Sequence, residues 1–530
     1  MSSASSAAAA AAAVPPIHVK EMIELNPKEK QIFDRLLAAV RHFDLPVQLR
    51  VAGGWVRDKL LGKECYDIDI ALNDMSGESF VKKVNEYLAS SGEEAPGFAV
   101  IASNPDQSKH LETARMRLYD LWVDFVNLRS ETYSENSRIP TEMKFGTAEE
   151  DAYRRDLTIN SMFYNINLNS IEDFTGRGME DLKWGRIVTP LPPKETFLDD
   201  PLRVLRAIRF GARFKFTLDE KLKEAAASDD VREALAAKIS RERVGTEVDL
   251  MIAGNEPVKA VSYIYELRLF WVVFSLPPSY EPSLPEDCDR LCLAHLNAAF
   301  DLLELLKLTI NDEQRRLALY AALFFPFRMI TYKDRKSKKL PIVNYIFRNS
   351  LKRKVSDSDT VIGVHSAVEK FLDLIPLLEK RADCPPDDIN HGIEIAGIPA
   401  SSKLRVLTGF LLREVKGFWR IALLISVLSY PNAIHCHEDS SDEGMLQKRS
   451  VFIAVENAIT NLGLNEVWEA KPLLNGKEIM NVLQLKSGGP LVKEWQNKVL
   501  VWQLANPSGT ADECLDWMKQ AHQKRIKLES

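Results

Sequence analysis

Two aspartates one residue apart, Asp67 and Asp69, stand in the run "YDIDIAL". Its period-two alternation predicts a strand. In a strand both side chains leave the same face. Carboxylates so close repel one another unless a cation lies between them. Mg²⁺ takes hard oxygen ligands and fills the rest of its shell with substrate phosphates. The pair is suited to hold two Mg²⁺ ions against a nucleoside triphosphate, one activating an attacking hydroxyl and one stabilising leaving pyrophosphate. Just upstream, "AGGWVRD" supplies Gly53 and Gly54, which let backbone approach phosphate closely, and Arg57, a charge-assisted phosphate donor. The plain alternative is a tight turn followed by a solvated strand face.

Three later stretches carry further chemistry. In "RRDLTIN", Arg155 can neutralise phosphate and Asp156 can accept a hydrogen bond from a ribose hydroxyl; a helix start with an acidic cap describes the same residues. "DDPLRVLRAIRFGARF" (199–214) is predicted to be a helix that begins near Pro201. Its Val204, Leu205, Ile208 and Ala212 share one face, and Arg206, Arg209 and Arg213 gather opposite, with Arg203 beside them. A solvated basic face is the bland reading, but an exposed face ordinarily mixes signs and this run has no glutamate. Asp200 accepts and Arg203 donates. That order complements the amino and ring-nitrogen edge of cytosine and of adenine, and opposes guanine and uracil. Asp124, in "VDFVNLR", is either a third carboxylate for the pair or a partnered strand aspartate. The polar run 129–151 is read as a loop closing over the site. Glycines 176 and 178 in "DFTGRGMEDL" suggest a hinge. His435, Cys436 and His437 fall in an acidic run better read as solvated loop than as a metal site.

The elements that must position these groups change along the chain. Strand-like runs recur at 48–52, 66–72, 121–129 and 161–167, whereas beyond about residue 196 helical spacing dominates. "SLPPSYEPSLPEDCD" (275–289) is predicted to be a loop. At 530 residues the chain exceeds one ordinary domain. Its net charge of −6 means that nucleic acid would be met by local basic surface, since the whole molecule offers no attraction. The six cysteines, Cys65, Cys288, Cys292, Cys384, Cys436 and Cys514, form no CxxC pair, which suits free thiols in a reducing compartment. The longest apolar run, "IALLISVL" (421–428), is too short to cross a bilayer. The leader "MSSASSAAAAAAAVPP" reads as disordered; its Ser/Ala content suits an organelle transit peptide, while the lack of arginine before Arg35 argues against one, and Met22 offers a second start.

"GGWVRD…DIDIAL", "RRDLTINSMFYNI" (154–166), "DFTGRGMEDL" (173–182), "DDPLRVLRAIRF" (199–210) and "ISRERVGTEVDLMI" (239–252) occur in that order. Together they resemble the DNA polymerase β-like nucleotidyltransferases and, within them, the class II CCA-adding tRNA nucleotidyltransferases of eukaryotic type. The stretch "LLNGKEIMNVLQLKSGGPLVKEW" resembles that family's C-terminal region more weakly.

The resemblance implies an α+β protein, with an N-terminal mixed β-sheet nucleotidyltransferase head followed by a long all-α region of neck, body and tail. The expected divisions are a leader at 1–20, head 21–170, neck 171–260, body 261–400 and tail 401–530. It implies untemplated addition of C, C and A to tRNA 3′ ends from CTP and ATP. Asp67 and Asp69 would be catalytic and hold two Mg²⁺ ions. Gly54, Arg57, Arg155, Asp156, Asp200, Arg203, Arg206 and Arg209 would bind nucleotide. Among these, Asp156 would select ribose, Asp200 and Arg203 would replace a nucleic-acid template, and Arg206 and Arg209 would hold phosphates. The family's closing loop switches the pocket from CTP to ATP, and "ISRERVGTEV" would brace the template helix. The partner would be tRNA, docked on basic stretches such as "KDRKSKK" (333–339), "LKRK" (351–354) and "KQAHQKRIK" (519–527). No protein partner and no membrane are implied. The expected setting is intracellular and soluble, in cytoplasm or nucleus, with the leader as a route to mitochondrion or plastid. The rivals are a related poly(A) polymerase and, from another class, a non-catalytic RNA-binding protein with a degenerate head.

Overall fold

The computed structural model describes residues 16–94, 96–101, 113–134, 137–379, 389, 391–394, 398–430 and 442–529. His435, Cys436, His437 and the first fifteen leader residues lie outside these. Two units divide between Ser275 and Leu276, at the start of the predicted 275–289 loop.

In the first unit α1 (Pro27–His42) starts with Pro27 at its first position and a capping box between Asn26 and Glu29. A seven-stranded mixed sheet follows, built from β1 (Leu49–Ala52), β2 (Ile68–Leu72), β3 (Phe98–Ile101), β4 (Thr113–Leu118), β5 (Leu121–Asn127), β8 (Phe163–Asn165) and β9 (Ser170–Glu172). The strand order is β3-β4-β5-β2-β1-β8-β9. Only β2 and β5 pair in parallel; β1 runs antiparallel to both β2 and β8. Between β1 and β2 the short α2 (Gly54–Leu60) returns the chain. Helix α3 (Gly77–Ser90) lies against β4 and β5, with Phe80 5.4 Å from Phe125.

The polar run that looked like a loop is instead a hairpin, β6 (Arg129–Ser134) with β7 (Ser137–Phe145). These strands pair with each other and not with the seven-stranded sheet. A side chain at Gly146 would come within 2.6 Å of the Arg129 carbonyl carbon, so the base of the hairpin needs glycine. Next come α4 (Ala148–Tyr153), a 3₁₀ turn at Thr158–Asn160, and α5 (Gly178–Lys183). Ala52 of β1, Ala71 of β2, Leu128, Phe163, Ala148 and Ala152 form one small core.

The rest of the unit is helical: α6 (Pro193–Asp199), α7 (Leu202–Phe214), α8 (Glu220–Ala226), α9 (Asp229–Lys238), α10 (Arg241–Ala253), α11 (Pro257–Glu266) and α12 (Phe270–Val273). One parallel strand pair interrupts it, β10 (Arg186–Ile187) with β11 (Thr217–Leu218). Helix α7 packs against α10 and α11.

Among the described residues the second unit is helical apart from a hairpin of Thr331–Lys333 with Lys339–Pro341, which lies beyond the point where strand signals fade. A 25-residue helix, Val355–Glu379, packs against the helices at Ala400–Val415, Trp419–Ser429 and Asp442–Asn461. The apolar run 421–428 is buried within Trp419–Ser429, which accounts for its composition. Among the described residues no helix is long and apolar enough to cross a membrane. The C-terminal helices close over Leu474, Ile479, Trp495, Val499, Cys514 and Met518.

Candidate active site

A cavity of about 580 Å³ in the first unit is lined by Asp67, Asp69 and a set of arginines. Asp69 lies in β2, and Asp67 comes one residue before the strand begins. Across the parallel ladder Asp69 is level with Asp124 of β5. Burial first, then the charges of Asp67 and Asp124, push the Asp69 carboxyl up to about 6 from 3.8. Asp124 itself receives Arg115 at 2.6 Å, and its field reaches Asp69.

Mutual repulsion between carboxylates is the condition that a divalent cation relieves. Among the described residues no three His, Cys, Asp or Glu side chains gather to hold a metal. Two carboxylates with open positions beside them fit Mg²⁺ that shares its shell with substrate phosphates, not a closed structural site. Gly53 lies at φ 70°, and a Cβ there would sit 2.8 Å from an Arg155 nitrogen and 3.2 Å from the Asn160 carbonyl. The first glycine thus lets β1 press on "RRDLTIN". Gly54 lines the cavity beside it.

Asp156 lives in the opposite field. One oxygen accepts from the Leu157 N–H at 2.8 Å and from the Asn160 amide at 3.1 Å; the other accepts Arg206 Nε at 2.7 Å. Burial would raise its pKa, but the Arg206 charge and these bonds hold it at about 2. Arg206 in turn is raised, chiefly by Asp156. Asp156 is therefore a fixed, ionised acceptor. Arg155 donates to Asp151 at 2.9 and 2.8 Å and to the Asn160 carbonyl at 3.3 Å, with its guanidinium over Phe163.

The arginines of α7 pair with carboxylates from elsewhere in the chain, although Arg213, 3.7 Å from Asp58, stays exposed. Arg209 bonds Glu247 of α10 at 2.6 Å and is not among the residues that line the cavity. Arg57 does line it. It donates to Asp58 at 2.8 Å and to Asn160, and lies 4.9 and 4.7 Å from the stacked rings of Phe210 and Phe214. These contacts tie α2 to α7.

Asp200 lies at the joint between α6 and α7, outside the α7 helix. One of its oxygens accepts the Leu202 N–H at 3.2 Å and the other accepts Arg243 of α10 at 3.1 Å. Arg203 is buried and donates to the carbonyls of Arg154 at 2.7 Å and Thr196 at 3.4 Å. Both members of the expected base-reading pair line the cavity, yet the guanidinium that meets Asp200 is that of Arg243.

Sequence reasoning missed Arg129 and Arg154 as cavity residues, and read Arg243 only as a brace. Arg243 lies 43 positions from its partner, beyond any local signal. Cavities of about 480 and 460 Å³ in the second unit offer no comparable site. Their lysines and glutamates neutralise each other, as in Lys498 with Glu394 and Glu494 at 3.2 Å each.

Residues 49–188 match the family described as the Poly A polymerase head domain. Over 504 residues the chain is 35% identical to the mitochondrial CCA tRNA nucleotidyltransferase of Saccharomyces cerevisiae, spanning 89% of this chain and 88% of that one. Over 509 residues it is 32% identical to a tRNA nucleotidyltransferase of Schizosaccharomyces pombe, spanning 94% and 98%. The CCA-adding enzyme of Bacillus stearothermophilus, solved in complex with CTP, superposes with a TM-score of 0.61 over 95% of this chain and 100% of that one; at 18% identity the likeness is one of fold.

Proposed function

The chain belongs to the CCA tRNA nucleotidyltransferases, and on that premise we propose how its cavity adds C, C and A to tRNA 3′ ends from CTP and ATP without a nucleic-acid template. The tRNA 3′ oxygen attacks the α-phosphorus, its proton is lost, and the α–β bridging oxygen leaves with pyrophosphate. Asp67 and Asp69 would hold Mg²⁺, which when bound lowers the pKa of the attacking hydroxyl and neutralises charge on the leaving group. Arg155 sets a cation beside the phosphates. Asp156, kept ionised at about 2 by Arg206, accepts the ribose hydroxyl bond. Asp200, turned by the Leu202 N–H and Arg243, accepts from the exocyclic amine that cytosine and adenine share.

The observation that carries this reading is one cavity lined together by the Asp67 and Asp69 carboxylates, the fixed acceptors Asp156 and Asp200, and arginines. The division at 170, 260 and 400 into head, neck, body and tail belongs to the same proposal. So does docking of tRNA on the exposed hairpin turn where Lys333, Arg335, Lys336, Lys338 and Lys339 cluster. The mitochondrial name of the yeast relative supports delivery of one form to that organelle.

The test is a tRNA ending at its discriminator base, incubated with each labelled triphosphate in turn. Two C additions and one A, then arrest, are expected. Open-ended A tails would instead assign a poly(A) polymerase, and incorporation of neither nucleotide would end the proposal.

A further inference from the structure

Strand β2, which leads out from the carboxylate pair, has β1 on one side and β5 on the other. The cavity opens toward the β1 side. Gly53 and Gly54 after β1, Arg155, Asp156 and Asn160 ahead of β8, and several residues of α7 line it, and no residue of β5 is among them. On the β5 side the parallel register sets Asp69 level with Asp124 and Ile68 level with Val123. One step further back along that register come Asp67 and Trp122. Side chains alternate along both strands, so Asp67, Asp69, Trp122 and Asp124 leave the same face, with the two backbones about 4.8 Å apart.

The contacts agree with this placement. Arg115 of β4 bonds Asp124 at 2.6 Å and holds its guanidinium 5.6 Å from the centroid of the Trp122 ring. The charges of Arg115 and Asp124 both reach Asp69. Trp122 is nonetheless 49% exposed, a large indole left half in water beside Asp67. Arg117, opposite Trp122 on β4, is half-exposed as well. Its ion pair with Asp120 at 3.4 Å lies in solvent, where such pairs are weak. An open aromatic ring with guanidiniums around it offers a nucleic acid both a stacking surface and phosphate donors. In an in-line displacement the attacking oxygen arrives opposite the leaving one. A triphosphate in the cavity therefore leaves the β5 side to the attacking strand.

We propose, resting on the function given above, that Trp122 is the stacking platform for the base of the RNA's 3′-terminal nucleotide, the one whose hydroxyl attacks. The two sides of β2 then divide the substrates, and the division matches a difference in demand. The incoming base must be chosen, which a directional acceptor such as Asp200 can do. The terminal base changes with each addition: first whichever base ends the tRNA, then C, then C again. A ring accepts all of them, because every base has a π-face.

The experiment compares Trp122→Ala and Trp122→Phe with the wild-type chain on two RNAs, a tRNA ending at its discriminator base and the same tRNA with that base removed from the terminal ribose. Equilibrium binding of each RNA is measured in Mg²⁺ buffer without triphosphate, and CTP binding is measured without RNA. Alanine should weaken binding of the intact tRNA by roughly five- to hundredfold, the range for one base on one aromatic ring. Phenylalanine should restore most of that loss, and CTP binding should not move. Removing the base should weaken the wild type by a similar factor and the alanine variant no further, since both changes delete one contact. Additive losses, or unchanged tRNA binding in a folded alanine variant, would overturn the proposal. If the alanine variant fails to fold, the wild type decides it: a terminal base whose removal costs no binding overturns it. A wild-type chain that shows the coupling but adds no nucleotide would end the proposed function and leave the stacking site standing. One that adds C, C and A without the coupling would do the reverse.

Discussion

Asp69 and Asp156 are the same residue type in one cavity, held about four pKa units apart. Asp69 faces two other carboxylates and sits near 6; Asp156 faces guanidiniums and sits near 2. Burial raises both, so the difference comes from the sign of the neighbours. It teaches which carboxylate waits for a ligand. Asp156 already has its countercharge and acts as a rigid acceptor. For Asp69 the fields of Arg155 and Arg115 are outweighed by burial and its two carboxylate neighbours, and a bound cation would offset them.

The largest effect expected of this contrast is at the acidic pair. Asp69→Asn should lower single-nucleotide incorporation by roughly 10³-fold or more, as expected when a metal-holding oxygen is lost. The same variant should be more stable than wild type in metal-free buffer at pH 7.5, by about 1–3 kcal/mol for a partly buried group. The sign follows from a folded pKa raised above the unfolded one. The penalty is complete above about pH 6, shrinks between 6 and 4, and is gone below. Urea melts of both chains at pH 7.5 and pH 4 check this, and added Mg²⁺ should stabilise the wild type more than the variant. An Asp69→Asn chain less stable at pH 7.5 would break the contrast.

The basic wall should respond with the opposite sign. Asp156→Ala strands the Arg206 guanidinium, whose Nε bond at 2.7 Å is its closest ionic contact. Removing one partner of a fully buried pair costs about 3–5 kcal/mol, and with Arg206 35% exposed the loss here should be about 1–3 kcal/mol. The urea midpoint should fall, where that of Asp69→Asn rises. In whatever fraction folds, the preference for CTP over its deoxy analogue should collapse. A folded variant that kept the preference would separate the acceptor from its assigned role.

The acidic pair was legible in the sequence and the basic wall largely was not. Asp67, Asp69 and the paired glycines lie within one short stretch, so their chemistry shows in local spacing. The mixed sheet and the helical remainder were also visible, because both follow from periodicity. The partners of α7 were hidden because they arrive from far away: Asp156 is 50 residues from Arg206 and Glu247 is 38 from Arg209. An arginine face that looked unpaired on its own helix was paired across the fold. The β6–β7 hairpin was missed for a related reason. Its strands pair with each other and not with the main sheet, so its sequence lacks the apolar alternation that a buried sheet face imposes.

Arg57 tests the boundary between the two regions, and its effect should be the smallest. It belongs to the motif that leads into the aspartates, yet it stacks on Phe210 and Phe214 of the arginine helix. Arg57→Lys keeps the charge and loses the planar stack and the fork to Asp58 and Asn160. A rivet between α2 and α7 predicts a loss of about 1–2 kcal/mol in stability, from one cation–π stack and one charge-assisted bond. It also predicts that kcat falls alike for CTP and ATP while nucleotide binding holds. Phe214→Leu, which keeps the apolar bulk and removes one ring, should give the same pattern. The double variant should cost less than the sum of the two, since both remove one contact. If Arg57→Lys instead weakens CTP binding and Phe214→Leu does not, Arg57 belongs to the phosphates after all, and the site of the acidic pair reaches one residue further than its bonds now indicate.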